Sequence, residues 1–325
     1  MRRPLSALLA LVAGAALALF VLPAASAQAG VWGAYPTAYG TRSCSATRQY
    51  NGVSYQTCLD YTHDRTQVRA IAFINPTAYT NFQVNMRMWY GGGGASVSQS
   101  CPTMTTNGSR ACWTGWSQMR RPCVVADATF GIAGHWMQPV RALDAKLSGK
   151  VQEESNYCGP AAMQTVIATM GISAPSQRTL ADLSDAGVTG TWARDIPPAL
   201  NKYVPQDFPY HVISVAQSGD GRRRGIGLIV DSVSRGRPVM AMVKPGNLPW
   251  SPDNPWYYRH YVVIHGVGGH FSGGSFVPTT FKVWDPNALN FAQERGREDQ
   301  LSEAELMYAG EGTVVDDLWT IASWA

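Results

Sequence analysis

A chain of 325 residues, only 15% of them charged and with 11 Trp and 14 Tyr, has room for two modest domains. The formal charge of +4 includes Arg2 and Arg3, and without them it is about +2, too little for the dense basic stripe that nucleic acid requires. The six cysteines do not suggest a structural metal: none stands in a C-x-x-C pair, and no histidine lies at zinc-ligand spacing.

The N-terminus has the order of an export signal. Arg2 and Arg3 give a basic start, an apolar run follows from Leu5 to Leu22, and the small residues Ala25-Ser26-Ala27 precede Gln28. Cleavage after Ala27 is expected, leaving a secreted protein with no membrane association. The alternative is a retained anchor, because a run of about 18 apolar residues nearly spans a bilayer. In an exported chain the cysteines default to disulfides.

Residues 28–135 read as a small all-β, sandwich-like domain. Val68, Ala70, Ala72 and Ile74 alternate with Arg69, Ile71 and Phe73 up to Pro76, and Phe82, Val84, Met86 and Met88 alternate with Gln83, Asn85 and Arg87 up to Gly91. Cys44 and Cys58 flank the Asn51-Gly52 turn, and Cys101 and Cys112 flank Asn107-Gly108, both plausible hairpin staples. Cys123 is left without an obvious partner, so the pairing of Cys101, Cys112 and Cys123 stays open. The aromatics Trp89-Tyr90 and Trp113-Thr114-Gly115-Trp116 suit a sandwich core or edge better than a ligand platform.

Residues 136–325 read as a second, α+β domain. A helix is expected from Cys158-Gly159-Pro160 to Met170, with Gly171 as its stop, then others over Thr179–Asp185 and Asp195–Tyr203. Arg222-Arg223-Arg224 lies between glycines and reads as a solvated loop. Strands follow at Val239–Val243, Tyr261–Gly266 and Phe281–Trp284. A short helix over Ser302–Tyr308 opens on an S-x-x-E pattern, and Leu318–Ala322 is strand-like. Helices before an antiparallel sheet is an α+β order.

Chemistry concentrates in this half. A thiol attacks as its thiolate, and a free cysteine is only about 3% ionised at pH 7. Cys158 sits at a helix start, where the positive end of the helix favours the thiolate and a backbone N–H can serve an oxyanion. Gln152, six residues earlier, can fold back to supply a second donor. The base must come from elsewhere in the chain. His260 heads a strand, and Asp285 ends another, so neighbouring antiparallel strands can set the carboxylate against the far imidazole nitrogen.

The segment Gln152 to Ala162, Q-E-E-S-N-Y-C-G-P-A-A, resembles the active-site segment of the bacteriocin-processing (double-glycine leader) peptidases and their stand-alone exported relatives. His260-Tyr261-Val262-Val263-Ile264 is similar to their histidine strand, Val283-Trp284-Asp285-Pro286 to their aspartate turn, and Gly236-Arg237-Pro238-Val239 to the strand before the histidine. The resemblance covers residues 150–325. It implies a papain-like fold, here preceded by the small all-β domain, in which Gln152 is the oxyanion donor, Cys158 the nucleophile, His260 the base and Asp285 the orienting acid. A cysteine peptidase without cofactor, acting on a peptide or protein substrate, follows. The chain departs from the transporter-linked members in its export signal, and it shows no nucleotide-binding or membrane-spanning domain.

Other readings compete for these residues. Cys158 can be a disulfide partner for Cys123, and His265 and His270 are rival bases. Asn287 is a rival orienting group, and Gln152 can be merely solvated. At the level of the whole protein, the rivals are a transglutaminase-like acyltransferase that passes the same thioester to an amine, and a catalytically silent surface-binding protein.

Overall fold

The computed structural model describes residues 30, 32–34, 36, 38, 40, 42–91, 96–119, 123–251, 259–287, 297–310 and 318–323; the expected export signal over residues 1–27 lies outside them. No described helix is long and apolar enough to cross a membrane.

Among the described residues, twelve strands come first. They are β1 (Trp32–Gly33), β2 (Arg42–Cys44), β3 (Arg48–Tyr50), β4 (Val53–Tyr61), β5 (Gln67–Pro76) and β6 (Thr80–Tyr90). They continue with β7 (Ser96–Thr106), β8 (Arg110–Trp113), β9 (Ser117–Gln118), β10 (Cys123–Ile132), β11 (His135–Trp136) and β12 (Val140–Ala145). Helices α1 (Cys158–Thr169), α2 (Gln177–Leu183) and α3 (Ile196–Leu200) follow, then β13 (Tyr210–Val215), α4 (Gly219–Ser234) and β14 (Val239–Val243). The chain closes with β15 (His260–Ser272), β16 (Ser275–Asp285), β17 (Arg297–Ser302), α5 (Glu303–Gly310) and β18 (Leu318–Ser323).

These strands make two sheets. The seven-stranded one has the path β1-β8-β5-β4-β2, with β3 on β4 and β9 on β5. The eleven-stranded one runs β13-β18-β14-β15-β12-β10-β6-β7, with β11, β16 and β17 alongside. Asn51 and Gly52, both at positive φ, make the two-residue turn of the β3–β4 hairpin. One disulfide joins Cys44 of β2 to its cross-strand neighbour Cys58 of β4; the other joins Cys101 of β7 to Cys112 of β8 and so ties one sheet to the other.

The first sheet packs on one end of the second. Tyr55, Ala72 and Ile74 meet Phe82, Val84, Met86 and Phe130 in a shared core. At the other end the large sheet is covered on both faces. Met163, Val166, Ile167 and Leu200 from α1 and α3 lie on Met240, Met242, Tyr261 and Val263. Ile226, Ile229 and Val233 from α4 and Leu306 from α5 lie opposite, on Val239, Ala241, Val262 and Ile264. The large sheet crosses residues 135 and 136, where the sequence suggests a domain boundary, because β12 pairs with β10 on one edge and with β15 on the other.

The loop expected at Arg222-Arg223-Arg224 is a correction: these residues lie inside α4. Its glycines serve packing as well as punctuation, since a Cβ on Gly225 would come within 2.8 Å of Val215 in β13. Arg222 reaches Glu303 at 2.7 Å, and Ile226, Ile229 and Val233 form the buried stripe. Helix bounds shift where side chains intervene. Ser176 Oγ caps α2 by accepting from the Thr179 N–H at 3.1 Å, and α3 stops at Leu200, where Asn201 turns to bond Tyr210 through both its amide atoms. Ser302 and Glu305 form a reciprocal capping box at α5.

The candidate active site

Cys158 is the first residue of α1 and is 8% exposed. Tyr157 precedes it without a side-chain cap, so the first N–H groups of the helix are not taken up by a capping side chain. Gly159 is required by a close approach: a Cβ there would lie 2.7 Å from Thr191 Oγ1 and 2.8 Å from Thr191 Cβ. Both Cys158 and Cys123 are free. The Cys123 sulfur points at the Val233 carbonyl, 3.3 Å away, and burial pushes its thiol pKa far up.

Residues 148–153 form a strap along α1. The N–H groups of Ser148 and Lys150 donate to Thr169 Oγ1 and Thr165 Oγ1, each at 2.9 Å, and Gln177 Nε2 donates to the Val151 carbonyl at 2.6 Å. Trp284 Nε1 donates to the Lys150 carbonyl at 3.1 Å, and the Gln152 N–H donates to the Pro286 carbonyl at 2.9 Å. The strap thus fixes the Gln152 backbone between α1 and the Asp285-Pro286 turn. The Gln152 side-chain Nε2 donates to the Glu154 carbonyl at 2.6 Å, while its Oε1 is buried with no partner among the described residues.

His260 opens β15 opposite Val243, and Asp285 closes β16, which pairs with β15 from Val263↔Trp284 onward. That register sets His260 Nε2 2.7 Å from Asp285 Oδ1. A carboxylate only accepts, so Nε2 carries the proton that faces Asp285; the Cys158 sulfur lies near enough to the ring to act on its ionisation. Burial on its own would depress the His260 pKa. The Asp285 charge, the Asp285 hydrogen bond and the Cys158 sulfur outweigh it and raise the pKa to about 10. Burial alone would raise the Asp285 pKa; the His260 charge and hydrogen bonds from His260, Trp250 and the Asn287 backbone hold it below the usual carboxylate range.

One of those partners escapes sequence reading, and another acts otherwise than expected. Trp250 Nε1 donates to Asp285 Oδ2 at 2.9 Å from a loop 35 residues away, with no local motif to announce it. Asn287 does meet Asp285, but through its backbone N–H at 2.8 Å. The rival histidines lie elsewhere. His265 is on the opposite face of β15, fully buried, with Nδ1 3.0 Å from Asp144. His270 is farther along the strand, opposite Val140 of β12. The aromatics of the first half are engaged by arginines: Arg69 lies over Trp116 at 4.4 Å, and Arg141 over Trp89 at 5.2 Å. A thiol at a helix start, an imidazole charged by a buried carboxylate, and nearby amide groups make an arrangement suited to acyl transfer through sulfur.

The model of the peptidase C39-like family matches residues 145–313. The peptidase domain of Streptococcus ComA, a bi-functional ABC transporter involved in a quorum sensing pathway, is similar at 19% identity over 55% of this chain and 96% of that one, with a TM-score of 0.34. No curated protein matches.

Proposed function

The chain belongs to the peptidase C39-like family and is a papain-like cysteine peptidase, and from that premise we propose that Cys158 is its nucleophile, His260 its acid and base, Asp285 the group that orients His260, and Gln152 an oxyanion donor. The observation that carries this reading is the imidazole of His260, held at 2.7 Å by buried Asp285 and carrying a pKa raised by that carboxylate and by the nearby Cys158 sulfur at the start of α1.

With its pKa near 10, His260 is an imidazolium at neutral pH, and its positive charge stabilises the Cys158 thiolate. The sulfur attacks the peptide carbonyl, and the electron pair of the C=O bond moves onto oxygen. The Cys158 N–H and Gln152 Nε2 receive that oxyanion; for the second, Gln152 releases the Glu154 carbonyl and turns toward the substrate. His260 gives its proton to the leaving amine as the C–N bond breaks. It then takes a proton from water as the hydroxide displaces sulfur and releases the acid product. Two disulfides support action outside the cell, where such bonds persist.

Peptide mapping after iodoacetamide labelling tests the assignment. Modification is expected at Cys158 in the native protein, its rate falling strongly in a His260→Ala variant. Cleavage of a peptide library is expected to drop to background in Cys158→Ala. Wild-type rates in Cys158→Ala would refute the reading. A product shifted to the amide of an added primary amine would assign acyl transfer instead of hydrolysis.

A further inference from the structure

Gln152 can serve an oxyanion only if its backbone is placed, and one buried side chain grips that backbone on both sides. Gln177, the first residue of α2, is 1% exposed. Its Nε2 donates to the Val151 carbonyl at 2.6 Å, and its Oε1 accepts from the Glu153 N–H at 3.0 Å. Nε2 also donates to Gln164 Oε1 at 3.1 Å, and Gln164, on α1, donates in turn to the Pro175 carbonyl at 2.8 Å. The Gln152 N–H is taken separately, by the Pro286 carbonyl at 2.9 Å. The residues on either side of Gln152 are thus held by α2, and Gln152 itself by the turn after Asp285. Its side chain is what can change partner, from the Glu154 carbonyl to the substrate.

The chemistry of this grip selects glutamine. A peptide carbonyl only accepts and a peptide N–H only donates, so a single group that meets both must carry a donor and an acceptor side by side, as a primary amide does. A carboxylate would set a second acceptor against the Val151 carbonyl, and an apolar side chain of the same length would satisfy neither peptide group. A buried amide is costly unless all its bonds are made, and Gln164 completes the set. An oxyanion donor acts well only when it is aimed before the charge develops, and a misplacement of about 1 Å can lower the rate about 100-fold. We propose that Gln177, backed by Gln164, is the positioning residue of the oxyanion donor: it sets the backbone from which Gln152 reaches the substrate oxygen and touches no reacting atom itself. This rests on Cys158 being the nucleophile and Gln152 the oxyanion donor.

The experiment measures kcat, KM and the iodoacetamide rate of Cys158 in the full chain, for Gln152→Ala, Gln177→Met and the double variant, on a peptide that the protein cleaves. Gln152→Ala is expected to lower kcat about 100-fold, the loss of one oxyanion donor. Gln177→Met is expected to lower kcat about tenfold or more. KM and the alkylation rate should stay close to wild type, because neither ground-state binding nor the thiolate draws on the oxyanion site. In the Gln152→Ala background Gln177→Met should have no further effect, since a residue that acts through Gln152 then has nothing to position. Gln164→Met removes only the backing acceptor and should give the same pattern at smaller amplitude, which keeps the inference testable if Gln177→Met does not fold. Equal losses of kcat with Gln152 present and absent, or a matching loss in the alkylation rate, would mark a merely structural role and overturn the inference. Full kcat in a folded Gln177→Met beside an impaired Gln152→Ala would overturn it as well and leave the peptidase reading intact. Wild-type kcat in Gln152→Ala would overturn the oxyanion role and this inference together.

Discussion

The carboxylate of Asp285 accepts from three donors, His260 Nε2, Trp250 Nε1 and the Asn287 N–H, so it is stabilised as an anion despite its burial. Its charge is what lifts His260 above its ordinary value of 6.5 to about 10. A raised histidine stabilises the fold fully below about 6.5 and loses that contribution as pH rises through about 10. Asp285, depressed, contributes above the ordinary carboxylate range and loses its contribution as pH falls through its lowered pKa. In Asp285→Asn only burial and the sulfur still act on His260. The alkaline limb of the kcat/KM profile is expected to fall from near pH 10 toward or below about 6.5, and the thermal midpoint should lose the decline that this histidine causes between about pH 6.5 and 10. A limb that stays in place would separate Asp285 from the imidazole's ionisation. Trp250→Phe keeps most of the ring and deletes the donor. A hydrogen bond to a charged group contributes about 1.5–3 kcal/mol, so kcat/KM should fall roughly tenfold or more and the acid limb should move upward. Near-native unfolding of that variant would show that orientation, not folding, was lost. Cys158, His260 and Asp285 are legible in the sequence because each is the marked residue of a local pattern. Trp250 is not, because only the tertiary fold brings its indole to Asp285.

The N-terminus of α1 is positioned by what lies against it more than by its own sequence. It has no side-chain cap, Thr191 lies against its first turn, and the strap of residues 148–153 holds the same helix farther along, at Thr165 and Thr169. Gly159→Ala tests this, because alanine is the better helix former by up to about 1 kcal/mol yet its Cβ would overlap the Thr191 side chain. The overlap should win. A destabilisation of about 1–3 kcal/mol is expected, along with a fall in the alkylation rate of Cys158 as the helix start moves. A stabilised, fully reactive variant would contradict the close packing. The same physics explains which elements can be read ahead of time. The helix from Cys158 and the strands at Val239, Tyr261 and Phe281 have unbroken apolar patterns. Helix α4 is hidden by Gly219, Gly221, Gly225 and Gly227. Glycine usually marks turns, but Gly225 is demanded by the nearness of Val215. Arg69, Ile71 and Phe73, which alternate with Val68, Ala70, Ala72 and Ile74, are buried as well, because further side chains, including Trp113 and Trp116, cover that face.

Across the whole molecule, the strand that carries His260 is braced from the first half of the chain. Strand β12 pairs with β15 from Asp144↔Gly266 to Val140↔His270, and β10 pairs with the other edge of β12. Beneath this seam lies a buried ionic group. His265 and Lys282 face Asp144 at 3.0 and 3.7 Å, Lys282 reaches Glu298 at 3.1 Å, and Arg65, from the β4–β5 loop, reaches Glu298 at 3.0 Å. Asp144 and Glu298 are both held below their ordinary pKa, by Lys282 and His265 against the effect of burial. Taking away residues 28–135 would remove Arg65 from that group, strip β10 from β12, and bare the apolar face that Ala142 shares with Val124 and Ala126. A partly buried carboxylate that loses one of its cations and an open strand edge both disfavour a soluble folded state. Residues 136–325 expressed alone should therefore lack a sharp cooperative unfolding transition, elute as aggregate in gel filtration, and show little Cys158 alkylation. A monomeric fragment with full activity and cooperative unfolding would mean that the strands before residue 136 are an appendage. The shared sheet argues the reverse: the β layers are part of what holds His260 in register with Asp285, and a change at the seam should be felt at the thiol.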